Sequence, residues 1–301
     1  VSARAGRAPA RLRTLVQPGR PAARRIESVD GPALEAAFVV PAGATLLEGI
    51  AAGMARAGLR SGAVRLADVE VAALQYVRPA PAADGGHVAF YSQTHRIDRP
   101  VRLQHVVATF GEADGRPFVH AHGLWFDERG RLQGGHLHND AVRAAADAPA
   151  RAWGLAGASL DLEFDEETRF SLLRPRRLAD AADAPAGRRR CVIAKVRPNE
   201  DLVGGIERVA AAHGIAAARI VGSVGSLVGA SFADGREVAD DATEILVLHG
   251  AVASPGGVPR ATLEIALIDP RGDVHVGAPA AGGNAVLICA ELVLVEDGRP
   301  A

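Results

Sequence analysis

Apolar runs broken by proline and glycine write one pattern twice along this chain. "LLEGIAAGMARAGLRSGAVRL" (46–66) and "LVGGIERVAAAHGIAAARIVG" (202–222) align at a constant offset of 156. Leu46 then meets Leu202, Gly49 meets Gly205, Ile50 meets Ile206 and Gly58 meets Gly214. Upstream, Pro41 and Pro198 each follow a short apolar run, "AAFVV" and "CVIAKV". Further on, "HAHGLWFDERGRL" (120–132) overlies "TLEIALIDPRGDV" (262–274) at an offset of 142. The fourteen-residue difference falls in "PAPAADGGHVAFYSQTHRIDRP" of the first copy. Such self-similarity marks a duplicated unit.

Each copy reads as strand, proline, helix, then several strands. The first helix opens on a capping box, Thr45 with Glu48 three residues on, and stops at Gly58. In the second copy Asn199 or Asp201 caps and Gly214 stops. Strands are expected at "VRLADVEVAAL", "VRLQHVVATFG" and a hairpin about Gly130 in copy one. In copy two they are expected at "ARIVGSVGSLVGASF", "TEILVLHGAVA", "ATLEIALID", "DVHVGAP" and "NAVLICAELVLVED". One helix followed by a run of strands argues an α+β fold with a largely antiparallel sheet.

Four of the ten histidines stand between residues 120 and 138. Alternate residues of a strand share a face, so His120 and His122 lie together, roughly 6.6 Å apart along the chain. "DERGR" has turn chemistry, with Asp127 opening it and Gly130 free to take a positive φ. Pairing Asp127 with Arg131 puts His122 opposite His136 and His120 opposite His138, all on one face. Gly134-Gly135 suits close backbone approach or a kink. Neutral imidazoles at roughly 2.0–2.1 Å from one point suit Zn2+ or another divalent transition metal. Three ligands leave a position open, and bound metal would be lost below roughly pH 6 as the rings protonate. The competing reading is a polar strand face carrying surface histidines. His105 and His138 are candidate additional ligands, His95 a further candidate ligand or base, and Glu112 or Asp114 candidate neighbours. Copy two has Thr262, Glu264 and Ala278 at the three positions, so no metal is expected there.

Composition adds little to chemistry and more to organisation. Apolar residues make up 48 %, enough for globular cores. Net charge is −1, but residues 1–25 hold seven arginines and no acid, which leaves −8 for residues 26–301. A basic arm on an acidic body is a nucleic-acid or membrane-surface signature; the single lysine, Lys195, and the abundant alanine fit a general arginine bias instead. Nothing approaches the roughly eighteen apolar residues of a membrane span. Cys191 and Cys289 are too few for a disulfide scaffold and sit in apolar runs, so buried thiols in a reducing cytoplasm are expected. "GSVGS" (222–226) lacks the Lys-Ser/Thr of a phosphate loop. At 4 % aromatic residues, a single-strand nucleic-acid surface is not expected.

"HAHGLWFDERGRLQGGHL" resembles the signature of the PPC (plants and prokaryotes conserved) domain: a His-x-His strand, an acidic-Gly turn, then Gly-Gly-His. "VRPNEDLVGGIERVAAAHGIAAARIVGSVGSLVGASF" (196–232) resembles the N-terminal half of the same domain. The resemblance implies an antiparallel sheet flanked by helices, trimeric assembly, and a metal held by His120, His122 and His136. Each copy keeps half of the signature, because copy two lacks the histidines and copy one lacks the Gly-Ser strand. The expected organisation is a basic, unstructured leader (1–30), a PPC-like domain with the histidine cluster (31–173), a linker (174–190) and a second PPC-like domain (191–301). Plant relatives join the domain to AT-hooks; Gly19-Arg20-Pro21 matches the hook core, with Pro18 where the hook has arginine. The expected function is a metal-binding homo-oligomer, a trimer first, with one divalent metal per chain and a position open to a small ligand. The alternatives are an enzyme using metal-bound water and a DNA-associated regulator.

Overall fold

The computed structural model describes residues 11–83, 85–179, 181 and 188–298. The chain enters through β1 (Ile26–Pro32). Copy one follows: β2 (Leu34–Val40), α1 (Leu46–Arg56) and β3 (Ser61–Val71). An inserted region holds β4 (Leu74–Val77), β5 (Pro79–Pro81), β6 (Ala89–Tyr91) and β7 (His95–Ile97). The copy continues with β8 (Val101–Ala113), β9 (Arg116–Phe126), β10 (Leu132–Leu137) and β11 (Ala148–Leu155). A hairpin, β12 (Ala158–Phe164) and β13 (Ser171–Arg177), leads out. Copy two comprises β14 (Arg190–Val196), α2 (Leu202–Ala212), β15 (Ala217–Leu227), the short β16 (Ala230–Ser231) and β17 (Glu237–Val238), then β18 (Thr243–Ala253), β19 (Arg260–Ile268), β20 (Val274–Gly277) and β21 (Val286–Glu296).

Strand order establishes the duplication independently of residue identity. The first sheet runs β2-β11-β3-β8-β9-β10 before continuing to β4 and β7, and the second runs β14-β21-β15-β18-β19-β20. Element by element these orders are the same. The ladders also keep the sequence offsets: His122 faces Val107, and Glu264 faces His249. All ladders are antiparallel except a single parallel pair, Asp161 with Glu112. The protein is therefore α+β, with two tandem domains of one topology.

The helices form where the apolar spacing put them. Thr45 and Glu48 complete the capping box, and Gly58 takes φ +68° past the end of α1. At α2 the choice between two caps resolves to Asp201, which accepts from Gly204 N–H. Asn199 instead exchanges hydrogen bonds with the backbone of Leu15. Each helix covers the outer face of its own sheet, closing a core of Leu46, Ile50 and Met54 in one copy and Leu202, Ile206 and Val209 in the other. The inner faces pack on each other through Ala63, Trp153, Val221 and Val293 at one end and Val107, Leu124, Leu246 and Ile268 at the other. Arg65 pins the junction by donating to Val221 O and Leu248 O (both 2.6 Å) and to Val247 O (2.8 Å). Val221 is Arg65's own counterpart at offset 156. Both cysteines are buried free thiols, pushed upward in pKa by that burial. Among the described residues no helix is long and apolar enough to cross a membrane.

Three expectations change. Residues 11–30 of the leader are built into the fold, whereas residues 1–10 lie outside the described residues. β1 is the edge strand of the second sheet, paired with β14 from Ile26↔Val196 to Pro32↔Arg190. Its Glu27 is 6 % exposed and is held by Arg197 (2.6 Å), Arg174 (2.8 Å) and Lys195 (3.7 Å). Burial opposes its ionisation, yet those cations hold the carboxyl below its ordinary range. The Arg-rich start of the expected linker, residues 174–177, belongs to β13; residues 180 and 182–187 lie outside the described residues. Finally β11, which copy one needs between β2 and β3, was hidden by Pro149 and short alternating side chains.

Candidate metal centre between the two copies

The hairpin about Gly130 keeps the expected register. Asp127 N–H donates to Arg131 O at 2.9 Å, Gly130 takes φ +71°, and His122 lies opposite His136. The two glycines are close approaches. A Cβ on Gly135 would stand 2.8 Å from Val77 O, and one on Gly134 2.6 Å from Ile268 of copy two. β10 lies between β9 and β4; its pairing with β9 ends at His136 and only the pairing with β4 continues, so His138 is not held opposite His120. The His138 N–H goes to Gln75 O and its Nε2 lies 3.3 Å from Thr94 Oγ1. The cluster is thus three imidazoles, not four.

One ring nitrogen from each of His120, His122 and His136 lies within 4.8 Å of the others, a grouping able to hold a metal ion. The remaining candidates stand elsewhere. His105 is exposed on β8, His95 stacks on Tyr76 at 5.1 Å, Glu112 pairs with Arg60 at 3.3 Å, and Asp114 sits in the β8–β9 turn at φ +50°.

Two acids that the sequence reading did not single out complete the site, and both come from copy two. His120 Nδ1 is 3.0 Å from Glu291 Oε1 on β21. Glu244 on β18 places Oε1 3.8 Å from both His122 Nε2 and His136 Nδ1. His122 Nδ1 is 2.8 Å from Ile245 O. A carbonyl only accepts, so that Nδ1 carries the proton and His122 Nε2 presents a lone pair. The Glu291 contact orients His120 in the same way. The two Nε2 atoms then face each other at 3.3 Å. Two facing lone pairs need a cation or a proton between them. Ligands at 2.0–2.1 Å from a tetrahedral ion are roughly 3.3–3.4 Å apart. The spacing therefore suits a shared metal, and carboxylate–histidine pairs of this kind orient ligands.

Burial sets the electrostatics. His122 is 1 % exposed, and burial, then the neighbouring His120, pushes its pKa down to about 3. Burial and the other imidazoles also hold His136 well below its ordinary value. Burial works against His120 too, but the Glu291 carboxylate outweighs it and raises His120. Glu244 is pushed up to about 8 by burial, with His120 opposing. Among the described residues, His136 Nδ1, Glu244 Oε2 and Glu291 Oε2 are buried with no hydrogen-bond partner. Unsatisfied buried polar atoms are costly, and three on one cluster fit a cationic occupant.

The Gly19-Arg20-Pro21 segment is tied to the protein itself. Gly19 N–H donates to Glu167 O at 2.9 Å, and Arg25 meets the Glu167 carboxylate at 2.7 Å.

The fold and the site together define a tandem α+β protein whose first copy offers three imidazoles and whose second supplies carboxylates around them. The family model of the Plants and Prokaryotes Conserved (PCC) domain, the family that the sequence resembles, matches residues 184–297. The match lies in the copy without the histidines. A metal-containing protein from Archaeoglobus fulgidus is similar in structure at 18 % identity and TM-score 0.36, covering 46 % of this chain and 91 % of that one. A plant- and prokaryote-conserved (PPC) protein from Pyrococcus horikoshii is similar at 20 % identity and TM-score 0.37, covering 50 % of this chain and 97 % of that one. No curated protein matches the chain.

Proposed function

We propose that this protein binds one divalent transition metal per chain, zinc first, through His120, His122 and His136, with the remaining position open to a small ligand. The observation that carries this reading is the 3.3 Å contact between two Nε2 atoms whose Nδ1 partners are already committed to Glu291 and Ile245 O. The three unpartnered buried atoms around it support the same reading. A bound ion would supply Lewis acidity to a donor atom at the open position. Glu291 orients His120. Glu244 stands beside the same rings and is placed to exchange a proton with a molecule in the adjoining pocket, which favours an enzyme as the second reading. Self-assembly, with a trimer expected, belongs to the same proposal and is checked by light scattering. A DNA-binding role for residues 17–25 is not proposed, since Gly19 and Arg25 are engaged with Glu167.

The test is metal analysis by mass spectrometry of the purified full chain beside a His120→Ala/His122→Ala variant. The wild type should carry close to one ion per chain and the variant close to none. Equal metal in both overturns the proposal.

A further inference from the structure

Beside the three imidazoles opens a pocket of about 710 Å3, counting the part continuous with solvent. Its floor is polar, with His120, His122, His136, Glu244 and Glu291. Its walls are apolar and aromatic: Phe90, Tyr91, Phe118, Phe170, Leu173 and Leu287. The rings form a continuous path away from the floor. Tyr91 lies 5.1 Å from the His136 ring and 6.1 Å from Phe170, and Phe90 lies 5.6 Å from Phe170. Phe90 and Tyr91 remain 46 % and 39 % exposed, a cost that a binding surface justifies.

Charge narrows the ligand. Among the described residues lining the pocket there is no arginine or lysine. The buried cations Lys195 and Arg197 are spent elsewhere, Lys195 on Glu27 and Arg197 on Glu27 and Asp165. An anionic ligand would lie beside Glu244 and Glu291 with no arginine or lysine of the lining to pair with. The mouth is also particular to copy one. The hairpin β5–β6 brings Phe90 and Tyr91, and the β12–β13 turn brings Phe170; among the described residues the copy-two sheet has no strands in the places of β12 and β13.

We infer that this pocket takes a small uncharged molecule, whose aromatic or branched apolar body lies against Tyr91 and Phe170 and whose lone-pair donor atom reaches the ion held by the three histidines. The inference rests on the metal reading above and adds the chemical class of the ligand.

The full chain is loaded with Co2+ and its visible spectrum titrated with imidazole, 4-phenylimidazole and benzoate. Burying a phenyl group should make 4-phenylimidazole bind at least about tenfold tighter than imidazole. Benzoate should bind more weakly than 4-phenylimidazole. Phe170→Ala should bring the ratio of the two imidazoles close to one. Phe170→Leu, which keeps an apolar wall, should retain part of the preference. Absence of a cobalt spectrum in the wild type overturns the metal reading and this inference with it. A normal cobalt spectrum with equal affinity for the two imidazoles, or with benzoate the tightest, overturns this inference alone.

Discussion

The hairpins β9–β10 and β19–β20 differ far more in chemistry than in shape. Asp127 and Asp269 each open a turn, donating N–H to Arg131 O at 2.9 Å and to Asp273 O at 3.1 Å. Gly130 and Gly272 follow at φ +71° and +86°. Phe126 pairs with Leu132 as Ile268 pairs with Val274. Yet His120 and His122 are 15 % and 1 % exposed, whereas Glu264, in His122's place, is 48 % exposed. The difference arises from where each hairpin falls on the opposite sheet. The histidine end of β9 lies over β18 and β21, which supply Glu244 and Glu291. Thr262 and Glu264 at the corresponding end of β19 face solvent. A shared backbone thus becomes a candidate site only where the other copy desolvates it and supplies carboxylates.

The largest expected effect tests that statement directly. Thr262→His/Glu264→His/Ala278→His places three imidazoles on the second hairpin. Without buried carboxylate partners, its zinc affinity by competitive chelator titration should be at least about 100-fold weaker than the first site's. A second site of equal affinity would show that the hairpin alone suffices.

Removing the carboxylates from the first site comes next. Glu291→Gln should weaken metal binding about 10- to 100-fold in the same titration. Glu244→Gln should have a smaller effect, because Glu244 is 3.8 Å from the rings whereas Glu291 is 3.0 Å from His120.

Acid should separate the metal-free and metal-loaded forms. Protons compete with the ion first at His120, the imidazole that Glu291 raises, so metal should begin to leave at higher pH than an unperturbed histidine would predict. In the metal-free chain, His122 and His136 are lowered, so their contribution to stability falls as pH drops below the ordinary imidazole value. His120 and Glu244 are raised, and their contributions are lost as pH rises towards their folded values, about 8 for Glu244. Metal-free stability from this cluster should therefore peak near the ordinary imidazole range. Urea unfolding across pH with and without zinc checks it; a monotonic metal-free profile above pH 5 would contradict the assigned charge states.

The smallest effect separates the turns. Gly130→Ala should cost about 1 kcal/mol from its positive φ alone, with no atom near the new Cβ. Gly272→Ala should cost about 1 kcal/mol more, because its Cβ would displace the Arg78 guanidinium that donates to Arg271 O at 2.6 Å. Urea midpoints of the two variants should differ in that order.

Much of the scaffold was legible because local rules carried it. The capping box at Thr45, the glycine stops, the Asp127–Arg131 register and the duplicated offsets each depend on residues close in sequence. β11 and β13 were missed because Pro149 and Pro175 interrupt them, and their places in the sheet are decided by distant partners. Glu244 and Glu291 left a faint signal, each a lone acid within an otherwise apolar strand run, "TEILVLHG" and "AVLICAELVLV". A charge kept inside such a run asks for a partner.

The sequence by itself determined the repeated unit, its two helices and the pairing that brings His122 opposite His136, because hydrogen-bonded register and amphipathic spacing act over a few residues. Only the tertiary structure decided that His138 turns away, that residues 11–30 join the fold and that copy two lends two carboxylates to copy one. Those outcomes depend on how two sheets, far apart along the chain, overlap when they bury their inner faces against each other.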